Sequence, residues 1–134
     1  MHWMLMPLRR YADFSGRSRR KEYWMFVLLN MLISAFVGLT FLVGYYGGMS
    51  QTEMDMYLMP ILVLACVLGL AFLVPGVAVT IRRLHDTDRS GWNLLCGLVP
   101  LIGAFMLLVF YITEGTPGPN RFGTDPKGEA PLPG

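Results

Sequence analysis

Charge is what this 134-residue chain has least of. Only 15% of its residues are Asp, Glu, Lys or Arg, against roughly 25% in an ordinary soluble domain. The shortage is concentrated: no charged side chain occurs from Tyr23 to Thr52, from Met56 to Ile81, or from Ser90 to Thr113. With no acid or base inside any of these runs, the chain lacks the membrane-depth carboxylate or histidine of a proton-driven exporter. Histidine is nearly absent too, with His2 and His85 alone. A metal-bound water needs three or more converging ligands, so no metal site is expected, and no cofactor. No G-x-S-x-G, Walker A or H-E-x-x-H pattern appears. Ser90, His85 and Asp86 lie too close together in sequence to stand as a catalytic triad. The expectation is that the protein is not an enzyme. The two cysteines, Cys66 and Cys96, each fall within an apolar run and form no CxxC, which reads as packing and not as a disulfide.

What is present is apolar length. Hydrophobic residues make up 54% of the chain, and a charge-free apolar run of about 18 residues or more suits a membrane-crossing helix. Three spans are predicted, at about 23–45, 57–80 and 92–112, and a soluble core is excluded because the remaining residues could not enclose so much apolar chain. All the Trp and Tyr sit outside these spans or at their ends (Trp3, Tyr11, Tyr23, Trp24, Tyr45, Tyr46, Tyr57, Trp92 and Tyr111), while Phe36, Phe41, Phe72 and Phe105 run through their middles. A bilayer sorts aromatic rings in this way, keeping those with a polar edge near the headgroups.

Lys and Arg set the orientation. Six precede the first span, none lie in the first loop, three lie in residues 82–91, and Arg121 and Lys127 lie in the tail. The positive-inside bias places the N-terminus and the 82–91 loop in the cytoplasm, and the first loop and C-terminal tail outside. The first 22 residues lack a signal-peptide core. Their "HWMLMPLRRY" reads instead as an interfacial anchor, and Ser18 as a helix cap before "RRKEYW". Pro75-Gly76 predicts a kink near 71–76, and Gly97, Pro100 and Gly103 predict a bend in the third span. Asn30 and Ser34, four apart, suggest helix packing. The Gly- and Pro-rich tail from Glu114 predicts turns or disorder on composition alone.

The stretch "RRLHDTDRSGW", residues 82–92, gathers the charge the flanking runs lack. Basic residues alone would fix topology, but Asp86 and Asp88 contribute nothing to that. Arg82 and Asp86 can pair if the second helix continues past Ile81, and Asp88 is placed to cap the third span. With Arg17, Arg19, Arg20 and Lys21, the residues Arg82, Arg83, His85, Asp86, Asp88 and Arg89 form a candidate site for anionic lipid or a partner at the cytoplasmic face. The alternative is a purely structural turn.

Four segments, "FSGRSRRKEYWMFVLLN", "RRLHDTDRSGWNLL", "PLIG" and "GTPGPNRFGTDP", resemble in order and spacing the bacterial inner-membrane proteins grouped as domain of unknown function 805. The resemblance covers residues 14–126, nearly the whole chain. It implies a small polytopic protein of the bacterial inner (cytoplasmic) membrane, and it implies that residues 115–126 form an ordered cap. The resulting expectation is an all-α polytopic membrane protein, with one membrane domain over residues 1–126 and a flexible tail at 127–134. Its function is expected to be that of a scaffold or accessory subunit binding anionic phospholipid, a second copy of itself or another membrane protein, but no nucleic acid. The alternative is an oligomeric small-solute transporter or channel around the bent second and third spans.

Overall fold

The structure, a computed structural model, describes residues 2–128; the last residues of the expected flexible tail lie outside the described residues. It is all-helical. In order come α1 (His2–Arg9), α2 (Arg20–Tyr46), α3 (Gln51–Asp86), a 3-10 segment (Gly91–Leu98) and α4 (Ile102–Ile112).

Two elements, α2 and α3, are long and apolar enough to cross a membrane. Only 6% and 11% of their most apolar windows are buried inside the protein. The core helix of a soluble domain would be mostly buried, so these faces are built for an apolar surrounding. The turn between them is well specified. Ser50 caps α3 through a reciprocal pair in which Ser50 Oγ accepts from Glu53 N at 3.4 Å and Glu53 Oε2 accepts from Ser50 N at 2.9 Å. Gly48 supplies the left-handed residue, at φ 70°.

Helix α3 runs unbroken through Pro60 and Pro75. Its 36 residues make it about 54 Å long at ~1.5 Å per residue, well beyond the ~30 Å hydrocarbon core. It is thus longer than one crossing needs, and Arg82 to Asp86, expected in a loop, are helical. The helix ends in a Schellman motif: Arg89 N donates to Leu84 O at 3.0 Å and Asp88 N to His85 O at 3.0 Å, around Asp88 at φ 55°. Asp88 thus closes α3 and does not cap the 3-10 segment. That role falls to Ser90, whose Oγ accepts from Trp92 N at 3.4 Å. Ser18 does not cap α2 either; its backbone N–H donates to Arg82 O at 3.1 Å and its hydroxyl is buried.

The expected third helix is not one helix. Residues 91–112 form two short arms joined at Val99–Leu101, and the second arm returns alongside the first. Leu101, at φ 62° and ψ −60°, centres a γ-turn closed by Ile102 N donating to Pro100 O at 2.7 Å, a strained conformation for a residue with a side chain. The arms touch backbone to backbone, since a Cβ on Gly103 would overlap the Cys96 carbonyl. The first arm leaves beside Ile81, and the second ends with Tyr111 O accepting from Arg83 Nε at 3.2 Å. Both ends of this hairpin therefore lie at the foot of α3.

The buried core sits at that same end, where Tyr23, Phe26, Val79, Leu84, Leu107 and Tyr111 meet. The Tyr23 and Tyr111 rings lie 4.7 Å apart. Helix α1 folds over the ends of α2 and α3, bringing Leu8 against this cluster and the Trp3 ring beneath Arg19 and Lys21 at 5.6 and 5.8 Å.

Candidate functional site

Below the apolar core, the segment before α2 and the C-terminal tail converge on Asp86, which points from the last turn of α3 into a buried space. Its Oδ1 accepts from Arg17 Nε at 2.9 Å, and its Oδ2 pairs with Arg83. One carboxylate thus holds two guanidiniums, one per oxygen. The expected Arg82–Asp86 pair does not form, although the helix does continue. At that spacing Arg82 turns instead to Glu22 in the first turn of α2, 3.0 Å away. Arg82 and Arg83 are both wholly buried. Burial pushes both guanidiniums down from their usual range, with Glu22 and Asp86 respectively opposing it.

The remaining donors of this cluster go to backbone carbonyls. Arg17 donates to Thr116 O and Gly118 O, each at 2.6 Å. Arg83 reaches Tyr111 O and Thr113 O, and Arg20 reaches Ile112 O at 3.1 Å. The last carbonyls of a helix are unpaired within it and carry its negative dipole end. Helix α4 has no basic residue in its own last turn, so Arg83 and Arg20 serve as its cap from other elements. Arg19 bonds Pro126 O, and Arg82 bonds Arg10 O and Asp13 O. Among the described residues Arg82 Nε and Ser18 Oγ are the buried side-chain atoms without a protein partner.

The tail completes the structure. Thr116 N donates to Asp86 O at 2.8 Å, and Gly115 lies so close to the Asp86 carboxylate that a Cβ there would overlap it. Asn120 Nδ2 donates to His85 O at 2.9 Å, and Phe122 stacks on the His85 ring at 3.9 Å with 3° between planes. Arg121 pairs with Asp88 at 3.1 Å. Residues 115–122 pack against the end of α3 through these contacts. The expectation that the tail lies across the membrane from the 82–91 stretch is corrected here. Because the chain doubles back at Leu101, the tail and residues 10–22 share one end of the molecule and are bonded together.

The candidate residues therefore separate. Arg17, Arg82, Arg83 and Asp86 are buried and spent on one another or on carbonyls. Arg20 is exposed but paired with Glu114 at 2.8 Å, and Arg19 is half-buried and bonded to the tail. Lys21 lies over the Trp3 ring. Arg89 lies over Phe110 at 3.9 Å and makes one long bond, 3.4 Å to Thr87 O. The sequence reading passed over Glu22, Gly115 and the carbonyls of 111–118. Glu22 was the visible signal, being the one acid within the basic run 17–22. Chemically the arrangement is a closed polar plate, and no group of three or more potential metal ligands occurs among the described residues.

Histidine is the side-chain type whose ordinary pKa lies nearest neutrality, and His85 is the histidine of the plate. Its Nδ1 lies 3.1 Å from Gly16 O. Burial lowers its pKa from the usual 6.5, the Gly16 carbonyl opposes this, and Arg121 adds to it. A base lowered in the folded state contributes stability above about pH 6.5 that is lost as pH falls through its folded value. The docked tail is thus expected to loosen on acidification. Backbone hydrogen exchange at residues 120–123, corrected for intrinsic rate, should be faster at pH 5.5 than at 7.5, and the difference should vanish in His85→Asn. Equal protection at both pH values in the unmodified protein would remove His85 from this role.

The family described as "Protein of unknown function (DUF805)" matches residues 11–124, a range that contains Arg17, Glu22, Arg82, Arg83, Asp86 and the tail as far as Phe122. The chain belongs to this family. It is 46% identical over 127 residues to "Inner membrane protein YhaI" of Escherichia coli (strain K12), covering 95% of this chain and 97% of that one. It is 42% identical over 128 residues to "Inner membrane protein YhaH" of the same strain, covering 95% and 98%. Of these two, YhaI is slightly the more similar. No solved structure matches the chain. The DUF805 chain described here is a membrane protein with two long apolar helices and a shorter apolar one, in keeping with inner-membrane relatives.

Proposed function

We propose that this DUF805 protein is a non-enzymatic scaffold or accessory subunit of the inner membrane that rests its polar end on anionic lipid. In this reading α2 and α3 cross the bilayer, and the Asp86 plate, both termini and the 82–91 stretch face the cytoplasm. The observation that carries it is the contrast between spent and unspent cations. Arg17, Arg82 and Arg83 are sealed inside and spent on protein partners. Arg9, Lys21 and Arg89 have no ion-pair partner among the described residues, and they stand around its rim. Trp3, an interfacial type of side chain, lies beside Lys21. Cations at that level gain roughly 1 kcal/mol each from an anionic leaflet.

The test is lipid retention by the purified protein in native mass spectrometry, with phosphatidylglycerol competing against phosphatidylcholine. Changing Arg9, Lys21 and Arg89 together to Gln should reduce the anionic preference on the order of 100-fold, since about 1.4 kcal/mol is tenfold. Glu53→Gln and Asp55→Asn at the far end should leave it unchanged. An unaltered preference in the triple variant would overturn the lipid-binding reading. Robust solute flux into liposomes would favour the transporter or channel alternative, for which the groove between α2 and α3, lined by Asn30, Ser34 and Thr80 among apolar residues, is the place to look.

A further inference from the structure

We infer that the 91–112 hairpin is an insertion surface for the acyl chains of a single leaflet, entering the bilayer from the plate side and returning to it. The inference rests on the proposal that α2 and α3 cross the membrane, and it assigns a lipid-facing role to a segment whose composition alone reads as a third crossing.

The first support is length. Eight residues of 3-10 helix rise about 16 Å at ~2.0 Å each, and the 11 residues of α4 rise about 16 Å at ~1.5 Å each. One leaflet of hydrocarbon is about 15 Å deep, half of the ~30 Å core. Each arm therefore matches one leaflet and falls far short of two.

The second support is the surface. Trp92, Leu98, Leu101, Ile102 and Phe105 are 79%, 79%, 86%, 71% and 69% exposed, and no charged residue lies between Ser90 and Thr113. The most exposed of them, Leu101, is at the tip. Trp92 stands at the mouth, level with the headgroup end of α3, where an indole is favoured. This apolar surface is continuous in character with the exposed flanks of α2 and α3.

The third support decides between hydrocarbon and water at the tip. Irregular backbone is costly in lipid because its polar groups lack partners. Here four of the backbone N–H groups around the turn are taken within the hairpin, which leaves Leu101 N–H as the exception. Val99 N donates to Cys96 O and Gly103 N to Val99 O, both at 3.0 Å, while Ile102 N donates to Pro100 O at 2.7 Å and Phe105 N to Leu101 O at 3.0 Å. Pro100 has no N–H to satisfy. The other polar ends, the carbonyls of residues 111–113, are taken by Arg83 and Arg20 on the plate. A hairpin that closes its own tip and returns its loose ends to the polar face fits a leaflet better than it fits solvent.

Single cysteines in the full-length protein, with Cys66→Ser and Cys96→Ser as background, test this with a membrane-impermeant maleimide applied to each side of sealed vesicles. Ser15→Cys, Thr52→Cys and Pro117→Cys are exposed positions on the plate, the α2–α3 turn and the tail. The expected pattern is Ser15→Cys and Pro117→Cys reacting from one side, Thr52→Cys from the other, and Leu101→Cys from neither until detergent is added. Pro117→Cys reacting with Thr52→Cys would make 91–112 a full crossing and overturn the hairpin. Leu101→Cys reacting from the plate side would place the hairpin in water and overturn it equally. Ser15→Cys and Thr52→Cys reacting from one side would instead remove the two-helix crossing on which the inference stands.

Discussion

Asp86→Asn is expected to release the C-terminal tail and to cost the folded protein about 3–5 kcal/mol, the usual result of leaving a buried charge without its partner. The substitution keeps the volume of the side chain and removes only its charge. Arg17 and Arg83 would then sit buried beside a neutral amide, with no carboxylate left between them. Water cannot compensate readily, because Arg83 is wholly buried and the Arg17 side chain is 1% exposed. The loss spreads because each guanidinium also binds the tail or the end of α4. Thermal unfolding in one detergent, with limited proteolysis after Arg121, reads both consequences. The Asp86→Asn tail should be cut well before the native one. Adding Arg83→Met should recover part of the lost stability by removing one of the two stranded charges. A loss below about 1 kcal/mol would mean that the carbonyl bonds hold the plate without the carboxylate.

Gly103→Ala is the second large effect, and it comes from shape alone. The added methyl would overlap the Cys96 carbonyl and approach Gly97 Cα at 3.2 Å. Both neighbours are backbone, so neither can turn aside as a side chain would. Overfilled sites ordinarily cost about 1–3 kcal/mol, and this one should reach the top of that range or pass it, because the two arms must part. Parting them also strips Leu107 from Gly97, which it contacts in the closed hairpin. Gly69→Ala makes the matching control. It lies mid-α3 with open space where a Cβ would go, and alanine there should raise helix stability by up to about 1 kcal/mol. Unfolding temperatures of the two variants should therefore move in opposite directions. A Gly103→Ala protein as stable as the unmodified one would show that the arms are not in backbone contact.

The two predictions bear on separate parts of the proposed role. Asp86 governs whether the polar plate exists as a rigid face for lipid or a partner. Gly103 governs whether the apolar hairpin beneath it stays closed. The rim cations Lys21 and Arg89 take part in neither contact, so their replacement tests lipid binding with the Asp86 pairs and the Gly103 contact left in place.

By itself the amino-acid sequence determined the solvent each segment would meet. The charge-free runs marked α2 and α3 as apolar throughout, the aromatics with polar edges marked their ends, and the basic residues marked one end as different from the other. These are properties of composition along the chain, and the surroundings act on them residue by residue. The cap at Ser50 with Glu53 was equally local and could have been read there. What only the tertiary structure decided was where the chain turns and which charges meet. The uncharged run 92–112 can form one crossing helix or two half-length arms with the same composition. The γ-turn at Leu101 and the backbone contact at Gly103 choose the arms, and that choice brings the tail back to the plate. Arg82 had an acid four residues away on its own helix and took Glu22, 60 residues distant, while Asp86 took Arg17, 69 residues distant. Ion-pair partners are set by which groups are buried together, and burial is a property of the assembled fold.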